Sequence, residues 1–207
     1  MSTIAKAGAY LICLLIGYLL GCANLAYVFA DKRGFDIRSE GTKNAGASNA
    51  AVTMGFKFGA LVCLADMFKA VLAVVIARWL FPDLLYVAQI AGVACIVGHV
   101  FPFWLRFRGG KGFASALGMA LALDWRLFVG LIPLVLLVCV LTNYLVLATA
   151  SVCVALPIHS FFMTHDIVAS LILAVASVLI LSKHRENYKR VFNGTEPKVS
   201  AILKKLF

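Results

Sequence analysis

Residues 127–163 read LFVGLIPLVLLVCVLTNYLVLATASVCVALPIHSFFM, an apolar stretch without one Asp, Glu, Lys or Arg. A helix crosses the hydrocarbon core of a bilayer in about 20 residues, so about 37 residues amount to two crossings. The polar break near the middle, Thr142, Asn143 and Tyr144, marks a tight turn between two helices. Composition points the same way: 63% of the 207 residues are hydrophobic and 14% charged, with a mean hydropathy of +0.98. Soluble globular domains carry far more charge. Lipid is therefore the solvent of this chain, and its chemistry is confined to short loops and helix ends of one domain covering residues 1–207.

Working outward, further apolar runs occupy residues 7–30, 59–81, 84–105 and 166–182, and residues 113–123 form a shorter one. The sum is an all-α integral membrane protein of about seven transmembrane helices. In that register residues 31–57, 105–112, 142–144 and 183–207 share one side, which holds Lys32, Arg33, Arg38, Lys43, Lys57, Arg106, Arg108, Lys111 and the basic tail through Lys205. The other side has only Lys6, Arg78 and Arg126. The positive-inside rule then places the amino terminus outside and the carboxyl terminus in the cytoplasm. Lys6 followed by an apolar run ending in Leu19-Leu20-Gly21-Cys22 mimics a lipoprotein signal, but cleavage would invert the charge sorting and is not expected. The six cysteines lie in apolar runs without a CxxC or Cys/His cluster and read as small core residues, neither metal ligands nor disulfides.

Three polar segments on the basic side carry groups that bind phosphate. The first runs from Asp36-Ile37-Arg38 through Thr42-Lys43-Asn44 to Ser48-Asn49. The second, Gly98-His99 through Gly109-Gly110-Lys111-Gly112, flanks a lysine with glycines just before a short helix. Glycine amides can approach an oxyanion, the helix amino terminus adds a favourable dipole, and Lys111 supplies a point charge. The spacing is not that of a Walker A loop, which disfavours an NTPase. In the third segment His184 and Asn187, three residues apart, share a helical face near the membrane exit, with Arg190 and Glu196 following. Asp66 and Lys69 lie on one face of a spanning helix, where charges need a partner or an interior polar centre. They read as a structural buried pair.

In this order and topology the three segments resemble the bacterial acyl-phosphate:glycerol-3-phosphate acyltransferase family, over nearly the whole chain. The motifs of that family look like residues 36–49, 98–112 and 184–198 here. The resemblance implies transfer of a fatty acyl group from acyl phosphate to the 1-hydroxyl of glycerol 3-phosphate, giving lysophosphatidic acid and phosphate, the first step of phospholipid synthesis. It implies a monomer in the bacterial cell membrane with its active site at the cytoplasmic face. Membrane lipids surround it, and no acyl-CoA, acyl carrier protein, cofactor, metal or nucleic acid is required. By position, His184, Asn187, Lys111 and Glu196 become the catalytic set; Thr42, Lys43, Asn44, Ser48, Asn49, His99, Gly109, Gly110, Gly112 and Arg190 become substrate-binding.

The sequence departs from the family pattern in places. Lys43 stands where the family has Gly, and Val52 where it has Arg, so Lys43 is expected to replace a missing phosphate cation. Asn143 and Val146 replace an Arg and a Ser, and Cys22-Ala23-Asn24 replaces Ser-Ile-Pro. A divergent paralogue with another acceptor, or without catalysis, is the alternative these changes keep open. A transporter of a phosphorylated solute would show repeated halves or paired broken helices, which do not stand out.

Overall fold

The computed structural model describes residues 2–206. Phe207, the end of the apolar tail, and the side chain of Lys205 lie outside the described residues. The regular structure among them is helical. The chain forms two compact units, the first ending at Leu123 and the second beginning at Asp124. The first contains α1 (Thr3–Cys22), α2 (Leu25–Asp31), α3 (Ala47–Met54), α4 (Phe56–Leu80), α5 (Val87–Val100), a 3-10 turn (Phe103–Leu105) and α6 (Phe113–Leu123). The second contains α7 (Trp125–Thr142), α8 (Leu145–Thr164), α9 (Ile167–Lys183), α10 (Arg185–Phe192) and α11 (Val199–Leu206).

Each apolar run folds as helix, and the 127–163 stretch breaks at Asn143 and Tyr144 as its polar residues indicate. Among the described residues, five helices can cross a membrane by length and composition: Thr3–Asp31, Phe56–Leu80, Val87–Leu105, Trp125–Thr142 and Leu145–Thr164. Counting α9 and α10 as one span bent by 51° makes six. The eleven-residue α6 is too short to span by itself.

The run over residues 7–30 is not one smooth helix. It breaks at Ala23 and Asn24, where the Asn24 side chain caps α2 by accepting from the Tyr27 amide at 2.9 Å and donates to the Ala45 carbonyl at 3.0 Å. A break at membrane depth must find partners for the carbonyls it frees. Here Trp104 Nε1 donates to the Cys22 carbonyl at 2.8 Å, and the Lys69 ammonium donates to that of Ala23 at 2.7 Å.

Within the first unit α1 packs along α5, and α4 packs against both α5 and α6. Small residues set these distances: a β-carbon at Gly17 or Gly21 would strike the Ala91 or Cys95 carbonyl, and one at Gly98 would strike that of Tyr18. Lipid offers no hydrophobic gain for helix pairing, so close backbone approach through small residues replaces it. Cys13, Cys22 and Cys95 are buried in the same unit as space-filling thiols.

In the second unit α8 packs between α7 and α9. Asn143 takes the left-handed conformation (φ 62°) that a tight helix–helix turn needs, one of the few non-glycine residues to adopt it readily. It also fastens the tail. Its carbonyl and Oδ1 accept from the amides of Val199 and Ser200, each at 2.9 Å, and its Nδ2 donates to Ser200 Oγ at 2.8 Å. These amides open α11 and have no intrahelical acceptor, so Asn143 caps that helix from a distance.

Because α1 and α5 meet backbone to backbone, Gly21→Val will lower stability by about 2 kcal/mol. Gly8→Val, on the same helix with nothing near its β-position, will stay within about 0.5 kcal/mol of the parent. Thermal unfolding in detergent micelles compares the two.

Candidate active site

The first polar segment is a loop wound around one buried side chain. Asn49, at the start of α3, is fully enclosed. Its Oδ1 accepts from the Thr42 amide at 2.7 Å, and its Nδ2 donates to the carbonyls of Ile37 at 2.8 Å and Glu40 at 3.0 Å. Asn49 thus closes the loop, and its polar atoms are engaged with backbone. Thr42, Lys43 and Ser48 are exposed and Asn44 is half-buried. Lys43 adopts φ 54°, a left-handed conformation disfavoured for lysine.

Arg38 ties this loop to the second segment. Its guanidinium grips Asp36 through Nε and Nη2, at 2.9 and 2.7 Å, while Nη1 donates to the Leu105 carbonyl at 2.9 Å. It also lies 5.0 Å over the Tyr27 ring, which Trp104 meets edge-on at 5.6 Å. The hydrogen bonds from Arg38 hold the Asp36 carboxyl below its ordinary value of 3.8. A depressed carboxyl stabilises the fold above that value and loses its contribution as pH falls through the lower, folded one.

The second segment turns back on the end of α5. The amide of Gly109 donates to the Val100 carbonyl and that of Gly110 to His99, both at 3.1 Å. These two glycine amides, expected from sequence to face an anion, are therefore used inside the loop. The donors pass to the next residues. The carbonyl of Gly112 accepts the first helical bond of α6, from Ala116 at 2.9 Å, so the amides of residues 112–115 open the helix. They follow Lys111 directly, and together they make a cationic, amide-lined helix entrance suited to a phosphate. Ser115, third residue of α6, is fully buried, and its Oγ has no hydrogen-bond partner.

His99 is buried beneath this entrance. Its Nδ1 lies 2.8 Å from Lys69 Nζ and 3.2 Å from Asp66 Oδ1, and Lys69 reaches Asp66 at 2.7 Å. Sequence separates His99 from the Asp66–Lys69 pair; the structure joins the three.

The third segment lies in the second unit, at the bend between α9 and α10. His184 is buried with Nδ1 at 2.8 Å from the Ile180 carbonyl, so this nitrogen carries a proton and donates to it. Asn187 Nδ2 donates to Glu196 Oε1 at 2.6 Å, and Arg190 Nε donates to Oε2 at 2.7 Å. The chain returns to deliver Glu196 because the Thr195 and Glu196 amides both bond the Arg190 carbonyl, at 2.8 and 3.1 Å. Glu196 is thus clamped by two neighbours and orients Asn187.

The expected residues accordingly gather in two groups, Thr42 through Asn49 with His99 and Gly109 to Gly112 in the first unit, and His184, Asn187, Arg190 and Glu196 in the second. Sequence reasoning missed Asn24, Arg38, Trp104 and Ser115. The Asp36-x-Arg38 spacing, and a serine one turn into a helix after Gly-Lys-Gly, are the signals that point to two of them.

Fold and site together define a multi-pass, all-helical membrane protein with a cationic, amide-lined helix entrance. The pattern of the glycerol-3-phosphate acyltransferase family matches residues 11–194, and the chain belongs to that family. Glycerol-3-phosphate acyltransferase 1 of Oceanobacillus iheyensis is 33% identical over 95% of this chain and 98% of its own length. A glycerol-3-phosphate acyltransferase of a Thermoanaerobacter species is 41% identical over 89% of this chain and 93% of its own. Among solved structures, the glycerol 3-phosphate form of the integral membrane glycerol 3-phosphate acyltransferase PlsY superposes with a TM-score of 0.85 at 30% identity, covering 91% of this chain and 94% of that one. Its lysophosphatidic acid form gives 0.84 at 28% identity, over 94% and 98%.

Asn49→Ala removes the partner of the Thr42 amide and of the Ile37 and Glu40 carbonyls and will destabilise the protein by about 3 kcal/mol. Ser48→Ala, exposed beside it, will change stability by less than about 0.5 kcal/mol. A chemical-unfolding series separates the loop-closing Asn49 from its exposed neighbour.

Proposed function

We propose that this protein transfers a fatty acyl group from acyl phosphate to the 1-hydroxyl of glycerol 3-phosphate, giving lysophosphatidic acid and inorganic phosphate. The observation that carries the proposal is the entrance to α6, where Lys111 precedes the unbonded amides of residues 112–115. A phosphate leaving group needs charge stabilisation, and an amide-lined helix start beside a lysine supplies it without reorganisation. The donor is already activated as a mixed anhydride, so holding two anions and orienting one hydroxyl is most of the task. The hydroxyl oxygen attacks the acyl carbon, the bond from that carbon to the phosphate oxygen breaks, and the hydroxyl proton passes to His184.

In this account Lys111, Gly112 and the α6 amides hold a phosphate. Thr42, Lys43, Asn44 and Ser48 contact the other anion, while Asn49, His99, Gly109 and Gly110 shape the loops behind them. Asn187 orients substrate from its Glu196 clamp, and Arg190 secures Glu196. The left-handed Lys43 supports its assignment as the substitute cation: a lysine kept at a position that favours glycine, with Val52 exposed where the family has an arginine, implies a use for its charge. The family match runs through both units and so supports one functional domain. About seven crossings, with α6 sitting short in the membrane, would leave the three segments on the cytoplasmic side of the bacterial cell membrane with the amino terminus outside. The protein would act as a monomer without acyl-CoA or acyl carrier protein.

Two variants test these assignments in purified protein given palmitoyl phosphate and labelled glycerol 3-phosphate. Lys111→Ala will reduce kcat/KM by at least about 100-fold, the scale for losing a charged oxyanion partner. Lys43→Gly relieves the left-handed strain, so it will raise stability by about 1 kcal/mol while reducing activity. Full activity in both would remove the two lysines from the site.

A further inference from the structure

The Asp66–Lys69–His99 cluster has a feature that a buried ion pair does not require. An ammonium group has three N–H donors and no acceptor. Around Lys69 Nζ stand three acceptors: Asp66 Oδ1 at 2.7 Å, the Ala23 carbonyl at 2.7 Å and His99 Nδ1 at 2.8 Å. With every donor assigned, His99 Nδ1 must accept, and the ring is then the neutral Nε2–H tautomer. The alternative, a proton on Nδ1 shared with Asp66 at the longer 3.2 Å, would press an N–H against an ammonium and leave one Lys69 donor without an acceptor. Charge agrees with geometry, since one carboxylate and one ammonium around a neutral ring sum to zero, the arrangement favoured at membrane depth.

The other edge of the ring meets the glycine turn. A β-carbon on Gly110 would collide with His99 Nε2 and Cε1, and would come within 3.0 Å of the Ala45 carbonyl. The Gly110 amide meanwhile donates to the carbonyl of the same His99 at 3.1 Å. His99 thus bonds the turn before Lys111 through its carbonyl and packs its ring against Gly110, and the ring is held by Lys69, whose other bonds reach Asp66 and the helix break at Ala23.

We infer that Asp66 and Lys69 are positioning residues for the anion-binding loop, acting through His99: they fix it as the Nε2–H tautomer and thereby set the Gly109–Gly110 turn that presents Lys111. The inference builds on the proposed acyltransferase site but is tested apart from it. Ring-15N histidine spectra of the full chain in lipid nanodiscs, with His99 assigned by difference from His99→Gln, report its tautomer directly. The wild-type protein is expected to show an unprotonated Nδ1 and a protonated Nε2. In the double variant Asp66→Asn, Lys69→Met, which removes both charges and leaves none uncompensated, the tautomers will mix. Amide exchange in residues 107–112 will then rise at least about tenfold while the middle of α5 stays protected. His99→Gln, whose amide nitrogen overlays Nε2, will retain more kcat/KM than His99→Asn, which overlays Nδ1. A proton on wild-type Nδ1, or unchanged exchange in the double variant, would overturn the inference. Protein with the expected tautomer and exchange response but no acyl transfer would refute the proposed function and leave the positioning role standing.

Discussion

An ammonium group buried at membrane depth needs as many acceptors as it has donors, and much of the first unit is arranged around meeting that need for Lys69. Helix 1 stops at Ala23 and offers a carbonyl there. Helix 4 supplies Asp66 one turn away, and α5 brings His99. The break in the first helix would be a defect in isolation, since it strips two carbonyls of their helical partners. With Trp104 on one and Lys69 on the other it becomes a fixed corner. Asn24, the next residue, extends that corner to the Ala45 carbonyl in the first polar loop. A helix break, a buried pair and two loops are therefore one connected hydrogen-bonded structure, and low dielectric makes its completeness matter.

Burial divides the polar residues of this unit by task. Asn49 and His99 are enclosed and their bonds run to the protein itself, whereas Thr42, Lys43 and Ser48 face outward. The glycines follow the same division: Gly109 and Gly110 bond back to α5, and the amides left for an anion begin at Gly112. In the second unit both Glu196 carboxylate oxygens are engaged, one by Asn187 and one by Arg190. Side chains that contact substrate need such a supporting layer because small errors in position cost large factors in rate.

The amino-acid sequence displayed most of the architecture. Uninterrupted apolar runs leave a helix no alternative in lipid, and the break at Thr142 to Tyr144 was visible as the cluster of polar residues near the middle of its stretch. The kink at Asn24 was not, because a single Asn within an apolar run looks like a tolerated residue until its partner, Ala45, is known. The Gly-Gly-Lys-Gly loop was legible in residue type but not in direction. Whether a glycine amide points at a ligand or back at α5 depends on the left-handed turn at Arg106 and Phe107, which no glycine announces. Asn49 and Glu196 looked like ligands for the same reason: composition records a polar group, and only the fold shows where its hydrogen bonds go. Asn143, noticed as a departure from the family pattern, proved to be a left-handed turn residue that also caps the last helix.

The central claim is that a phosphate-activated acyl donor reacts on this protein with glycerol 3-phosphate. Donor choice tests it most directly: purified protein in nanodiscs is given labelled glycerol 3-phosphate with either palmitoyl phosphate or palmitoyl-CoA, and labelled lysophosphatidic acid is measured with the phosphate released. Product and phosphate in equal amounts from palmitoyl phosphate, with none from the thioester, is the result predicted by an entrance built for a phosphate leaving group. Product from palmitoyl-CoA alone, or none from either donor with folded protein, would contradict it.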